Sequence, residues 1–405
     1  VDPAIAAITA RAVAGDAISE NEISTLFETR GADLEHVCAS ADALRRAVSG
    51  DTVTYVVNRN INYTNICAYR CGFCAFSKGD KAEALRGAPY DLDLSEVVRR
   101  SQEAWDRGGT EVCLQGGIHP HYTGETYMGL ARAVRAAVPE MHIHAFSPLE
   151  VWQGAATLGL DLETYLRGLK DGLDTLPGTA AEILDDSVRD ILCPDKLTSA
   201  QWREVIETAH RVGFRTTATI MFGHIDTPRH WAAHLIQIRD LQRRTGGFTE
   251  FVPLPFVHME APNALRGQAR RGPTFREVRL MHAVARLALH PHITSIQTSW
   301  VKLGEAGVRA CLDAGANDLG GTLMNESISR AAGTQHGQEM PPAERDRLLR
   351  AVGRAPLQRT TLYGPVPDDI RQRGLDAAEL TPPIQTPPRK RRAPTSEMET
   401  MTYAE

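Results

Sequence analysis

The sequence contains no apolar run long enough to cross a bilayer, and its first residues lack the basic-then-apolar pattern of a secretory signal. It also lacks a basic excess: 45 Lys and Arg against 50 Asp and Glu give a formal charge of -5, so nothing electrostatic draws it to nucleic acid. Cysteines are few, seven in 405 residues, and Cys38, Cys113, Cys193 and Cys311 stand singly among apolar neighbours. That scatter excludes a disulfide framework and fits small buried hydrophobes in a reducing compartment. Together these absences predict a cytoplasmic protein with no membrane or nucleic-acid partner and with small-molecule ligands. What is present, 42% hydrophobic and 23% charged residues, is enough core for one large or two ordinary domains. Position 1 is Val rather than Met, as expected of one part of a longer polypeptide.

The remaining three cysteines are not scattered. Cys67, Cys71 and Cys74 fall in the stretch Asn58 to Gly79 with the spacing C-x3-C-x2-C. Thiolates at this density suit an iron-sulfur cluster or zinc. Their number is informative, because structural zinc is normally closed by four protein ligands and an electron-transfer cluster by four thiolates. A 4Fe-4S cluster held by three leaves one iron open to a ligand. Spacing alone leaves a second reading open, a zinc knuckle completed by His119 or His121 in a non-enzymatic protein.

Along the chain, residues 3 to 48 show helical periodicity in three pieces, one opened by the capping box Ser19-Glu-Asn-Glu22. From Thr52 to about Gly321 short apolar runs alternate with amphipathic stretches, the pattern of beta-alpha units around a parallel sheet. Expected strands are Val53 to Asn58, Glu111 to Gln115, His142 to Phe146, Gly172 to Thr175, Thr216 to Met221, Thr249 to Pro253, Ile293 to Gln297 and Ala314 to Leu319. Eight runs fit a barrel, although an open doubly wound sheet can be written from the same alternation. In either architecture ligands gather at the carboxyl ends of the strands. Gly116 and Gly117 then expose backbone at the end of the second strand, and Phe73, Ser147, Glu150, Gly223 and His224 fall on the same rim. So do His119 and His121, which can move protons near neutral pH, and Asn317, Asp318 and Thr322, which can hold a polar ligand. Each has a plainer role available, as a turn glycine, a helix cap or a surface histidine. After Gly337 one helix (Pro342 to Val352) and one extended segment (Arg359 to Tyr363) are expected, and the last 25 residues, with five prolines and the run Arg389-Lys-Arg-Arg392, read as a disordered tail.

The cysteine spacing with Phe73 before the last Cys resembles the signature of the radical S-adenosylmethionine (SAM) superfamily. The likeness extends to Asn60-Ile-Asn-Tyr-Thr-Asn65, Ala75-Phe-Ser-Lys-Gly79, Leu114-Gln-Gly-Gly-Ile-His-Pro120, Leu176-Pro-Gly-Thr-Ala-Ala-Glu-Ile-Leu184 and Asn317 to Gly333. Together these resemble the subgroup of FO synthase subunits and of the radical SAM enzymes on the futalosine route to menaquinone. The ending Glu326-Ser-Ile-Ser-Arg-Ala-Ala-Gly333 and Arg359-Thr-Thr-Leu-Tyr363 are most similar to its tyrosine-using members, which occur alone or as the C-terminal half of a fused FO synthase.

The resemblance implies an α/β fold, a (β/α)8 TIM-type barrel over 51–337 with an N-terminal helical cap (1–50), a C-terminal extension (338–380) and a tail (381–405). It implies a 4Fe-4S cluster on Cys67, Cys71 and Cys74, with SAM completing the free iron. Phe73, Gly116, Gly117, Ser147, Glu150 and Gly223 would contact SAM, and His119, His121, Asn317, Asp318 and Thr322 a substrate. The implied reaction splits L-tyrosine between its alpha and beta carbons and passes the 4-hydroxybenzyl group to 5-amino-6-(D-ribitylamino)uracil. The implied partners are a cellular one-electron reductant and the other FO synthase half. The alternative within the subgroup is aminofutalosine synthase or the cyclase that follows it.

Overall fold

The computed structural model describes residues 1–78 and 88–387. Gly79 and the basic run at Arg389 to Arg392 lie outside the described residues. The strands are β1 (Thr52–Val56), β2 (Asn58–Ile61), β3 (Glu111–Leu114), β4 (His142–His144), β5 (Thr175–Leu176), β6 (Arg215–Phe222), β7 (Phe248–Pro255), β8 (Asp318–Gly321) and β9 (Ala355–Gln358). β1 and β2 are two halves of one extended run, and β2 to β7 pair in chain order, all parallel. The circuit closes through short bridges, Phe251 to Ile296 and Gln297 to Asp318, and β8 then pairs with β1. The result is a TIM-type barrel whose seventh position is only the pair Ile296 and Gln297.

Helices fill the connections as their end signals direct. Thr198 and Gln201 form a capping box for Ser199–Arg211, and Thr274 and Glu277 do the same for Phe275–Leu289. The three N-terminal helices, Pro3–Val13, Glu20–Glu28 and Gly31–Ser49, bury their apolar faces against Phe275–Leu289 and Pro228–Thr245, with the Phe27 ring 5.1 Å from that of Trp231. Among the described residues no helix is long and apolar enough to cross a membrane.

The C-terminal segment closes the amino end of the barrel. β9 pairs with β1 on the edge that β3 takes further along, with Thr52 opposite Ala355 and Tyr55 opposite Gln358. The chain then turns into the interior. There Arg359 donates to Asp318 at 2.6 Å and to Glu250 at 3.2 Å, Tyr363 donates to Glu250 at 2.7 Å, and Thr361 donates to Glu111 at 2.7 Å. Further on, residues of the expected tail are bound rather than loose: Glu103 accepts from the Thr381 amide at 2.7 Å and Glu96 from the Ile384 amide at 3.1 Å, both on the helix Leu94–Asp106. The backbone amides of a Pro-rich segment still need partners, and two carboxylates supply them. Residues 388–405 of that expected tail lie outside the described residues.

Arg359→Met leaves Asp318 and Glu250 buried without a countercharge and is expected to lower the unfolding free energy by about 3–5 kcal/mol in chemical denaturation. Leu357→Ala, on the exposed side of the same strand, is expected to move it by roughly 0.5 kcal/mol or less. Equal losses in the two variants would remove the ion pairs from the explanation. A pH dependence follows from Glu96 and Glu103. Burial pushes both carboxyls up, but hydrogen bonds from Arg99 and Arg100 on the first, and from Arg59 and Thr381 on the second, outweigh it and hold both at about 2. A lowered carboxyl value stabilises the fold above the unfolded value of 4.5, and that contribution is lost as pH falls toward 2. The protection factors of the Thr381 and Ile384 amides against hydrogen exchange, relative to the intrinsic rate at each pH, should therefore fall across that window, and less so in a Glu96→Gln, Glu103→Gln double variant.

Candidate active site

The parallel closure sends every strand's carboxyl end to one rim, where a cavity of about 420 Å³ opens and runs down the barrel. Cys67, Cys71, Phe73 and Cys74 line its mouth together with Gly116, Gly117, Ser147 and Glu150. Three neighbouring segments pin the cysteine loop. The Ala68 amide donates to Ile118 O at 2.8 Å, the Gly72 amide to Leu192 O at 2.9 Å, and the Asn263 amide to Gly72 O at 2.8 Å. Gly117 is required by this packing, since a Cβ there would run into the Ile66 carbonyl and come within 3.0 Å of Cys67 Cβ. A Cβ on Gly116 would enter the Tyr63 ring.

The donor set fits a cluster. Three thiols share one cavity wall, and two of them already accept backbone amides, Cys67 from Ile118 at 3.3 Å and Cys74 from Ser77 at 3.4 Å. Burial pushes the Cys67 and Cys71 thiols up, Cys71 to about 12. Coordination to iron offsets that cost, because a metal takes the thiolate. Among the described residues no three Cys, His, Asp or Glu side chains converge as on a single ion. A cube that carries its own sulfide is held at separate corners, so its thiolates need no such convergence. His119 and His121, the proposed completion of a zinc site, are absent from the cavity lining.

The other expected residues divide. Phe73 stands under the Lys196 ammonium, 5.1 Å from the ring centre, and Lys196 pairs with Glu182 at 2.7 Å. Ser147 and Glu150 cap the helix Pro148–Leu158. Glu150 accepts from the Ser147 amide at 2.7 Å, the Gly116 amide at 3.1 Å and the Tyr63 hydroxyl, while burial pushes its carboxyl up. The carboxylate therefore braces the glycine turn from behind.

Gly223, Asn317, Asp318, Thr322, His119 and His121 do not line the cavity. Gly223 has φ +96 and abuts Pro273, and its amide donates to Asp226; His224 is buried on Met221 O. His119 stacks on Tyr122 at 4.7 Å, outside the glycine turn, and His121 is exposed. Asn317 accepts from Arg286 at 2.7 Å and from the Ile296 amide at 2.9 Å, and Thr322 exchanges hydrogen bonds with the Asn58 backbone at 2.9 Å. The physical reason is register. The last barrel strand runs Asp318–Gly321 rather than Ala314 to Leu319, so Asn317 and Asp318 fall at the amino end and the rim moves to Leu323, Glu326 and Ser329, which do line the cavity.

Sequence reasoning also missed the polar lower wall. Asn58, Glu111, His144, Glu250, Gln297, Arg359 and Thr361 line it. Arg359 and Thr361 lay in a motif already marked by resemblance. Lys302, on the unanticipated helix Trp300–Leu312, gave no signal at all.

Comparisons with known proteins agree with this geometry. Residues 61–237 match the model of the radical SAM superfamily and residues 245–369 that of the CofH/MqnC C-terminal region. The chain is 52% identical over 89% of its length to FO synthase of Streptomyces coelicolor, but spans only 41% of that protein. It is 46% identical over 87% of its length to 5-amino-6-(D-ribitylamino)uracil--L-tyrosine 4-hydroxyphenyl transferase of Methanothermobacter thermautotrophicus, and covers 95% of that protein. Among solved structures, methylornithine synthase (PylB) superposes with a TM-score of 0.67 at 17% identity, over 86% of this chain and 97% of that one, a likeness of fold alone. With three cysteines at the mouth of a parallel barrel and matches along most of its length, the chain belongs to the radical SAM superfamily, in the branch that carries the CofH/MqnC C-terminal region.

Proposed function

We propose that this chain cleaves L-tyrosine between its alpha and beta carbons and transfers the 4-hydroxybenzyl group to 5-amino-6-(D-ribitylamino)uracil, releasing 2-iminoacetate, methionine and 5′-deoxyadenosine. The observation that carries this reading is the 46% identity to the archaeal transferase over 95% of that enzyme. A 4Fe-4S cluster and SAM, when bound, supply one electron and a carbon-centred hydrogen-atom acceptor. Cys67, Cys71 and Cys74 would hold the cluster, with one iron left to SAM. Gly116 and Gly117 would let a ligand reach backbone groups beside the cysteine loop, and Phe73 would offer a ring face. Val252, Leu254, Phe256, Val301 and Ile328 line the same cavity and would keep water and stray hydrogen donors from the reacting carbons. A cellular reductant, and the other half of a fused FO synthase, complete the reading as partners.

Anaerobic turnover of reconstituted protein with SAM, reductant, tyrosine and the ribityl pyrimidine is expected to consume tyrosine and yield the coupled product by mass spectrometry. Consumption of futalosine-route substrates instead would replace the substrate assignment, and colourless protein containing zinc would remove the radical chemistry altogether. Cys71→Ser is expected to abolish turnover and lower bound iron. Gly117→Ala should likewise lower iron per chain, because its methyl displaces the Ile66–Cys67 backbone; Gly129→Ala, where a Cβ meets nothing within 4 Å, should leave iron unchanged. Full iron content in Gly117→Ala would show that the loop tolerates the shift.

A further inference from the structure

Among the described residues three Lys or Arg side chains line the cavity, and two of them are matched. Lys196 meets Glu182 at 2.7 Å, and Arg359 lies between Asp318 at 2.6 Å and Glu250 at 3.2 Å. Among the described residues the Lys302 ammonium has neither a hydrogen bond nor an ion pair. The cavity's five carboxylates are all engaged elsewhere. Glu111 is held by Asn58 and Thr361, Glu150 by Tyr63 and two amides, Glu182 by Lys196, Glu250 by Arg359 and Tyr363, and Glu326 by the Ser329 amide at 2.7 Å. Burial pushes the Lys302 amine below its ordinary value, with Glu326 and then Glu182 opposing from a distance. Lys302 is half-buried on the cavity wall, and an ammonium so placed without a protein counterion is open to an anionic ligand.

The backbone holds this side chain in place. Lys302 sits in the turn between Ser299 and Gly304, which breaks the helix Trp300–Leu312 with φ 64 and ψ -177. On one side the Trp300 indole donates to Gly321 O at 3.0 Å; on the other a Cβ on Gly304 would come within 2.7 Å of the His336 ring. The turn is therefore fixed at both ends with its lysine on the cavity wall.

We propose that Lys302 binds the carboxylate of the α-amino-acid substrate, an inference that rests on the reading of tyrosine as that substrate. The charges of the reactants favour it. The ribityl pyrimidine carries no formal anion. Of the three cavity-lining cations it is Lys196 whose charge acts on Cys71 and Cys193, and so the cluster side of the cavity has its own. The substrate amino acid brings a carboxylate that stays on the two-carbon fragment after the bond to the benzyl carbon breaks. A cation on it holds the alpha carbon through cleavage and leaves the benzyl group free to move.

The test uses reconstituted enzyme, wild type against Lys302→Met and Lys302→Arg. Loss of a charged hydrogen bond is expected to raise the KM for L-tyrosine about 10- to 100-fold in Lys302→Met, with partial recovery in Lys302→Arg. Equilibrium dialysis of labelled L-tyrosine should show the same loss. The KM for SAM and the tyrosine-independent formation of 5′-deoxyadenosine should not change. Tyramine, which lacks the carboxylate, should bind wild type and Lys302→Met alike. The thermal midpoint of Lys302→Met should stay or rise, because no protein partner is lost, whereas a structural lysine would lower it. Wild-type turnover of tyrosine with an unchanged KM in Lys302→Met, or parallel loss of tyrosine, tyramine and SAM binding, overturns the role of Lys302 and leaves the substrate reading standing. A wild type that cleaves SAM but consumes no tyrosine overturns both.

Discussion

The ion pairs of Arg359 are what the rest of the barrel depends on. A closed parallel barrel ordinarily fills its interior with layers of branched aliphatic side chains. This one places Glu111, His144, Glu250 and Asp318 inside, and none is tenable alone among buried neighbours. Burial pushes the Glu250 carboxyl up, and with the Arg359 guanidinium opposing it the group stands at about 7. Arg359 reaches this position only because β9 lies beside β1 and delivers the next residues into the lumen. The C-terminal region is thus part of the barrel's interior, and the space above it stays open because its floor is held by charge rather than by bulk.

The rim is built on a different principle. The cysteine loop has no regular structure, so its shape comes from hydrogen bonds to three neighbouring connections and from two glycines that admit it closely. Glu150 ties these parts together, since one carboxylate caps its own helix, braces the Gly116 amide and accepts from Tyr63. Side chains that sequence patterns offer as ligand contacts here serve first to hold the backbone that a ligand would meet.

Much of the fold was legible because it rests on periodicity. The capping box Ser19 to Glu22 opens the helix Glu20–Glu28, and the helix expected at Pro342 to Val352 runs Pro342–Ala351, because caps and apolar faces are local properties. The three cysteines were legible because chemistry limits what such spacing can do. Asn317 and Asp318 failed for a reason periodicity cannot reach: the apolar run Ala314 to Leu319 looks like a strand, yet pairing with β1 begins at Asp318. A shift of four residues carries a polar pair from one end of the barrel to the other. The lower wall was invisible because it is assembled from residues as far apart as Asn58, Glu250 and Arg359.

The alternation of the strands explains how one cavity combines polar grip with a sheltered interior. Inward positions on β7 run Glu250, Val252, Leu254 from floor to rim, and those on β6 run Thr217, Thr219, Met221. On this side polarity falls toward the end where the cysteines stand. A carbon-centred radical takes a hydrogen atom or an electron from whatever group lies nearest, so groups that donate readily belong away from it and groups that orient a polar substrate belong beneath it. With fixed two-residue periodicity, the grading follows from the choice of three residues on each strand, and it confines the charged groups of β7 to a floor already neutralised by Arg359.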